Sequence, residues 1–72
     1  MLSMMAETTS ETIQNVEAKA RILGIRMSKL WELAECHQST WRNWRIGRTQ
    51  APYETMRRVV AYVERIERAS AA

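Results

Sequence analysis

The amino-acid sequence predicts a small all-α domain of four helices, five at most, closed by a long C-terminal helix. Three observations carry that expectation. Apolar residues recur at three- and four-residue spacing in four separate stretches. No stretch shows the alternation of a strand. Gly24, Gly47 and Pro52 fall at the joints between the periodic stretches, where helices stop and start. With 72 residues there is room for one domain, and a chain of this size buries only about 60% of the surface its unfolded form exposes, so modest stability is expected. The balance of 46% hydrophobic and 26% charged residues is that of a globular chain.

Residues 1–9 are polar and without period, which suits a flexible arm. Thr8 followed three residues later by Glu11 has the form of a capping box, and Ile13, Val16, Ala20 and Leu23 then line one face of a helix over about 10–23. Gly24 suits the left-handed residue that closes it. Met27, Leu30, Trp31, Leu33 and Ala34 make a second amphipathic stretch, over 27–35. Trp41 and Trp44 stand three apart in a third, over 38–46, stopped by Gly47. After a loop at 48–51, Pro52 fits the first position of a helix, where its missing N–H costs nothing. Met56, Val59, Val60, Val63 and Ile66 then continue one apolar face to about residue 69, with Arg57, Arg58, Arg65 and Arg68 expected on a solvated face among glutamates. The expected organisation is an arm (1–9), a folded domain (10–69) and a tail (70–72).

Residue inventory narrows the function. The chain has no Asp, one His and one Cys, and no glycine-rich phosphate loop. Nucleophile, base and orienting group cannot be assembled from that set, so no catalytic residues, no metal site and no cofactor are expected, and no small-molecule substrate. A lone Cys36 forms no internal disulfide and fits a reducing cytosol. No apolar run approaches the roughly 20 residues that span a bilayer, and the N-terminus has no basic leader, so neither membrane nor export is indicated. The net charge of +3 is unevenly spread. The first twenty residues are acidic, with Glu7, Glu11 and Glu17 against Lys19, whereas residues 21–48 carry Arg21, Arg26, Lys29, Arg42, Arg45 and Arg48 against Glu32 and Glu35. A basic middle fits a polyanionic partner.

That middle holds the two short helices. Joined by a three-residue turn, they have the layout of a helix-turn-helix over about 27–47, in which the first helix braces the second. Packing then divides the residues. Leu30 and Ala34 face inward, Cys36 is buried in the turn, and Trp41 and Trp44 anchor the second helix. Gln38, Ser39, Arg42, Asn43 and Arg45 remain for the outer side. Arg pairs with guanine and Gln or Asn with adenine in the major groove, and Ser adds adaptable contacts, so this is a face suited to base readout.

The segments Leu23-Gly24-Ile25-Arg26-Met27-Ser28-Lys29-Leu30, Gln38-Ser39-Thr40-Trp41-Arg42-Asn43-Trp44 and Gly47-Arg48-Thr49-Gln50-Ala51-Pro52, with Ala34, resemble the lambda-repressor-like, Cro/C1-type helix-turn-helix family. The similarity extends over about residues 21–66. It resembles in particular small phage-type regulators in which an S-T-W-x-x-W helix precedes G-x-T-x-x-P. The resemblance implies operator binding and repression, often by dimers on paired half-sites. It places Gln38, Ser39, Arg42 and Asn43 at base-reading positions and Arg26, Thr40, Arg48 and Gln50 at phosphate-contacting ones; Arg45 joins the phosphate set as a residue expected to face DNA. Three features depart from the pattern. Glu35 stands where the family's turn carries glycine, so either the turn is wound differently or Glu35 accepts a positive φ at a cost of about 1 kcal/mol. Trp31 replaces a small residue, so either the helices stand apart or Trp31 points outward as a partner surface. A single long helix replaces the usual closing pair.

The expected function is therefore that of a sequence-specific double-stranded DNA-binding transcriptional regulator. A phage or prophage repressor is the form the resemblance implies, cytoplasmic in a bacterial host and nucleoid-associated when bound. A single small domain reads few base pairs, so a homodimer on a palindromic operator is the expected working form. The competing reading is a protein-protein adaptor that docks through the C-terminal helix and Trp31, with the helix-turn-helix as scaffold.

Overall fold

A computed structural model describes residues 8–71, and within them every regular element is a helix: α1 (Thr9–Leu23), α2 (Met27–Ala34), α3 (Gln38–Arg45) and α4 (Tyr53–Ala71). There are four helices in this span and no fifth. Of the expected arm, residues 1–7 lie outside the described residues, while Thr8 and Thr9 belong to the start of α1. The tail expected at 70–72 is helical as far as Ala71.

Local chemistry explains where the helices begin and end. The capping box is formed: the Glu11 N–H donates to Thr8 Oγ1 and the Thr8 N–H to Glu11 Oε1, each at 3.1 Å. Two of the orphan donors at the helix start are thereby satisfied. The ends of α1, α2 and α3 share one device, in which a left-handed residue turns the backbone so that later N–H groups reach back to the last carbonyls. At α1, Gly24 takes φ +78° and the Ile25 N–H donates to the Ala20 carbonyl at 2.8 Å. At α3, Gly47 takes φ +85°, with Gly47 N–H to Trp44 O at 3.2 Å and Arg48 N–H to Asn43 O at 2.9 Å. At α2 the same pair of bonds, Glu35 N–H to Glu32 O and Cys36 N–H to Trp31 O at 3.1 Å each, is closed by Glu35 at φ +54°. The turn is thus wound in the ordinary way and Glu35 takes the strain. Pro52 stands one position earlier than expected: its carbonyl accepts from the Met56 N–H at 3.1 Å, so it caps α4 and Tyr53 opens it.

α1 packs against α3 and α4, and α2 against α4 and α3. Every helix contributes to one core: Ile13, Val16 and Ala20 from α1, Leu30 and Ala34 from α2, Trp41 and Trp44 from α3, and Met56, Val59 and Val63 from α4. Full burial of side chains such as Ile13 or Leu30 is worth about 1.5–3 kcal/mol each, which is the main force holding four short elements together. No polar or charged residue is buried as a whole among the described residues.

Several expectations change at this level. Cys36 is half-buried where full burial was expected, because it follows the left-handed residue in a connection that runs along the surface between exposed Glu35 and His37. Trp31 is half-buried against the core cluster and does not stand out as a partner surface. The arginines of α4 do not all pair with glutamates. Arg57 meets Glu54 at 3.6 Å, but Arg58 donates its Nε–H to the Leu33 carbonyl at 2.8 Å and Arg65 lies 5.9 Å from the Tyr62 ring centroid. The Leu33 carbonyl, near the end of α2, has no intrahelical donor, and Arg58 satisfies it.

Candidate nucleic-acid interface

Helical geometry divides α3 into two faces. Trp41 and Trp44 are 3% and 6% exposed and face the core, their rings tilted at 52° with centroids 6.1 Å apart. At about 100° per residue, Gln38, Ser39, Arg42 and Asn43 fall on an arc of roughly 140° on the other side. Gln38, Ser39 and Arg42 are exposed and Asn43 is half-buried. The four expected base-reading residues therefore share one outward strip, and the two tryptophans that hold the helix stand behind it.

The remaining expected contacts are spread over other elements. Arg48 is brought to the end of α3 by its backbone bond to Asn43, and Thr49 N–H shares the same carbonyl at 3.4 Å. Arg26 is the exposed residue that opens α2, and Thr40 is half-buried on the flank of α3. Gln50 lies apart, lining a surface groove with Thr9 and Tyr53 where α1 and α4 begin. Arg45 is directed elsewhere: its Nη1 lies 3.7 Å from Glu17 Oε1 on α1. Helical position explains this, since Arg45 follows Trp41 by one turn and shares its flank.

Charge pairing separates the arginines further. Among the described residues Arg26, Arg42 and Arg48 meet no carboxylate, whereas Arg45 and Arg57 do, and Lys19 pairs with Glu67 at 3.3 Å. Arg21 and Arg68 are exposed as well and, like Arg42 and Arg45 on α3, sit in the last turns of their helices, where a cation complements the helix dipole.

Three residues that organise this site escape a reading by periodicity. Glu17 is the most consequential: its Oε2 accepts from Trp41 Nε1 at 2.7 Å and its Oε1 faces Arg45, with the side chain only 12% exposed. Ser10 Oγ donates to the Arg45 carbonyl at 2.6 Å, satisfying one of the orphan acceptors at the α3 C-terminus. Arg58 does the equivalent for α2. A signal for Glu17 was present. A buried indole needs an acceptor, and Glu17, directly after buried Val16, is one of several acceptors that α1 offers.

Desolvation by burial pushes the Cys36 thiol above the ordinary range, a backbone hydrogen bond with Trp41 opposing the rise, so the thiol stays protonated near neutral pH. No group of His, Cys or Glu side chains among the described residues could hold a metal ion. No described helix is long and apolar enough to cross a membrane. Comparison with protein-family models, with curated proteins and with solved structures found no match to this chain.

Proposed function

We propose that the protein is a sequence-specific double-stranded DNA-binding regulator in which α2 and α3 act as a helix-turn-helix of the lambda-repressor-like type and α3 enters the major groove. The observation that carries this reading is the outward strip of Gln38, Ser39, Arg42 and Asn43 on a helix whose opposite side is locked by Trp41 and Trp44. Base readout requires such a division, because polar groups discriminate bases only when the helix that presents them cannot roll. Arg26 and Arg48, with no carboxylate to satisfy them, supply phosphate contacts, with Thr40 and Gln50 in supporting positions. Arg45 belongs to the scaffold in this reading. A homodimer on a palindromic operator, acting as a phage-type repressor, is the working form we propose.

For an adaptor that docks through the C-terminal helix and Trp31, the Trp31 half is less well supported, since that indole is packed against the core. Selection of bound sequences from a random DNA pool, followed by titration of the selected and random duplexes, tests the proposal. Arg42→Ala with Asn43→Ala is expected to abolish the preference for the selected sequence while the helical circular-dichroism signal is retained. An unchanged preference would sink the readout assignment. Arg48→Ala is expected to weaken binding to every sequence and to reduce the slope of log K against log salt by about 0.9, one phosphate's worth.

A further inference from the structure

We propose that Glu17 is a positioning residue for the DNA-reading helix, with a separate task for each oxygen: Oε2 locks the roll of α3 through Trp41, and Oε1 withholds Arg45 from the phosphates. The inference rests on the DNA-readout reading above and assigns to the same site a control over how much of its affinity is sequence-independent.

The geometry leads there directly. Glu17 stands on α1, outside the α2–α3 pair, yet it meets two residues of α3 that lie one turn apart on the same flank. Its bond to Trp41 Nε1 is short, 2.7 Å, and the indole it holds is 3% exposed. A directional bond to a buried group fixes rotation about the helix axis, which apolar contact alone leaves looser. The second contact differs in kind. Arg45 Nη1 stands 3.7 Å from Oε1 and the Arg45 side chain is 44% exposed, a loose ion pair that contributes little to stability. Its effect is on direction. Ser10 holds the Arg45 backbone to α1 at the same end, so the guanidinium lies between a largely shielded carboxylate and solvent. With the carboxylate charge removed, Arg45 becomes one more mobile cation beside the strip that Arg42 and Asn43 occupy. An added cation near DNA strengthens binding to every sequence, through one more released counterion.

Glu17→Gln separates the two tasks, because the amide oxygen still accepts from Trp41 but no longer attracts Arg45. Binding of random duplex DNA is measured against salt for the unaltered chain, Glu17→Gln, Arg45→Gln and the double variant. Glu17→Gln is expected to steepen the slope of log K against log salt by about 0.9 while keeping the preference for the selected sequence. Arg45→Gln alone leaves the slope in place, and the double variant returns to it. Glu17→Ala also takes the acceptor from Trp41, and lowers the preference on the order of tenfold, the discrimination carried by one bidentate base contact; Glu17→Gln restores it. An unchanged slope in Glu17→Gln, or a slope flattened by Arg45→Gln, overturns the inference while leaving the readout reading intact. Failure of the unaltered chain to bind DNA at all overturns both.

Discussion

The seat of α3 on α1 and the seat of α2 on α4 are built from different interactions. Behind α3, Trp41 buries its indole and donates Nε1–H to Glu17, while Ser10 closes the Arg45 carbonyl. On the α2 side, Trp31 also shields its indole nitrogen from solvent, but no described group accepts from it. There the contacts are apolar burial of Leu30 and Ala34, the Arg58 clamp on Leu33, and Lys29 near the Tyr62 ring at 5.6 Å from its centroid. Apolar burial is non-directional and tolerates small rotations, whereas a buried hydrogen bond does not. The difference teaches that the helix carrying the outward polar strip is oriented by a shielded hydrogen bond from its own buried indole, whereas α2 is held by apolar burial and one exposed clamp from Arg58.

Glu17→Ala breaks the α3 side and has the largest expected effect. It leaves a buried donor unmatched, a loss of about 1–3 kcal/mol, read as a lower midpoint in urea denaturation. A loss within experimental error of zero would show that the Trp41 bond adds nothing. Glu35→Gly comes next and acts at the junction of the two seats. Removing the side chain from φ +54° relieves about 1 kcal/mol of left-handed strain, partly offset by the greater freedom of glycine in the unfolded chain. A melting temperature raised by a few degrees is expected, given about 4–8 °C per kcal/mol in a domain this small, and a lowered one would place the strain elsewhere. Trp31→Phe has the smallest effect. It deletes an unpartnered donor along with some apolar area, two changes of opposite sign, so stability shifts by under about 1 kcal/mol. A loss as large as that of Glu17→Ala would mean that the Trp31 nitrogen does find an acceptor in solution.

Much of the architecture was legible in the residues. Apolar spacing placed all four helices to within one or two residues, since each must turn one face to a shared core. Thr8 with Glu11, Gly24 and Gly47 marked helix ends through local chemistry alone. Glu35 was legible as a conflict and illegible in outcome. Whether an αL glutamate is tolerated depends on the bonds that Cys36 and Glu35 itself return to α2, and those form only when the turn closes.

The candidate site divides in the same way. Gln38, Ser39, Arg42 and Asn43 share a strip because of helical period, which is a property of the chain. The roles of Arg45 and Arg58 are not: one is set by a carboxylate 28 positions earlier, the other by a carbonyl 25 positions earlier. Sequence separation of that size carries no local signal, and a run of arginines looks alike until each finds its acceptor.

By itself, then, the amino-acid sequence determined an all-helical chain, the ends of its helices and the polar strip on α3, because spacing and capping act within a turn or two of backbone. Only the tertiary structure decided that Trp31 packs inward, that Glu35 takes a left-handed conformation, and that Glu17 holds both Trp41 and Arg45. Those outcomes depend on which side chains from distant helices arrive at the same buried place, where a hydrogen-bond donor must find a partner or bear the cost of having none.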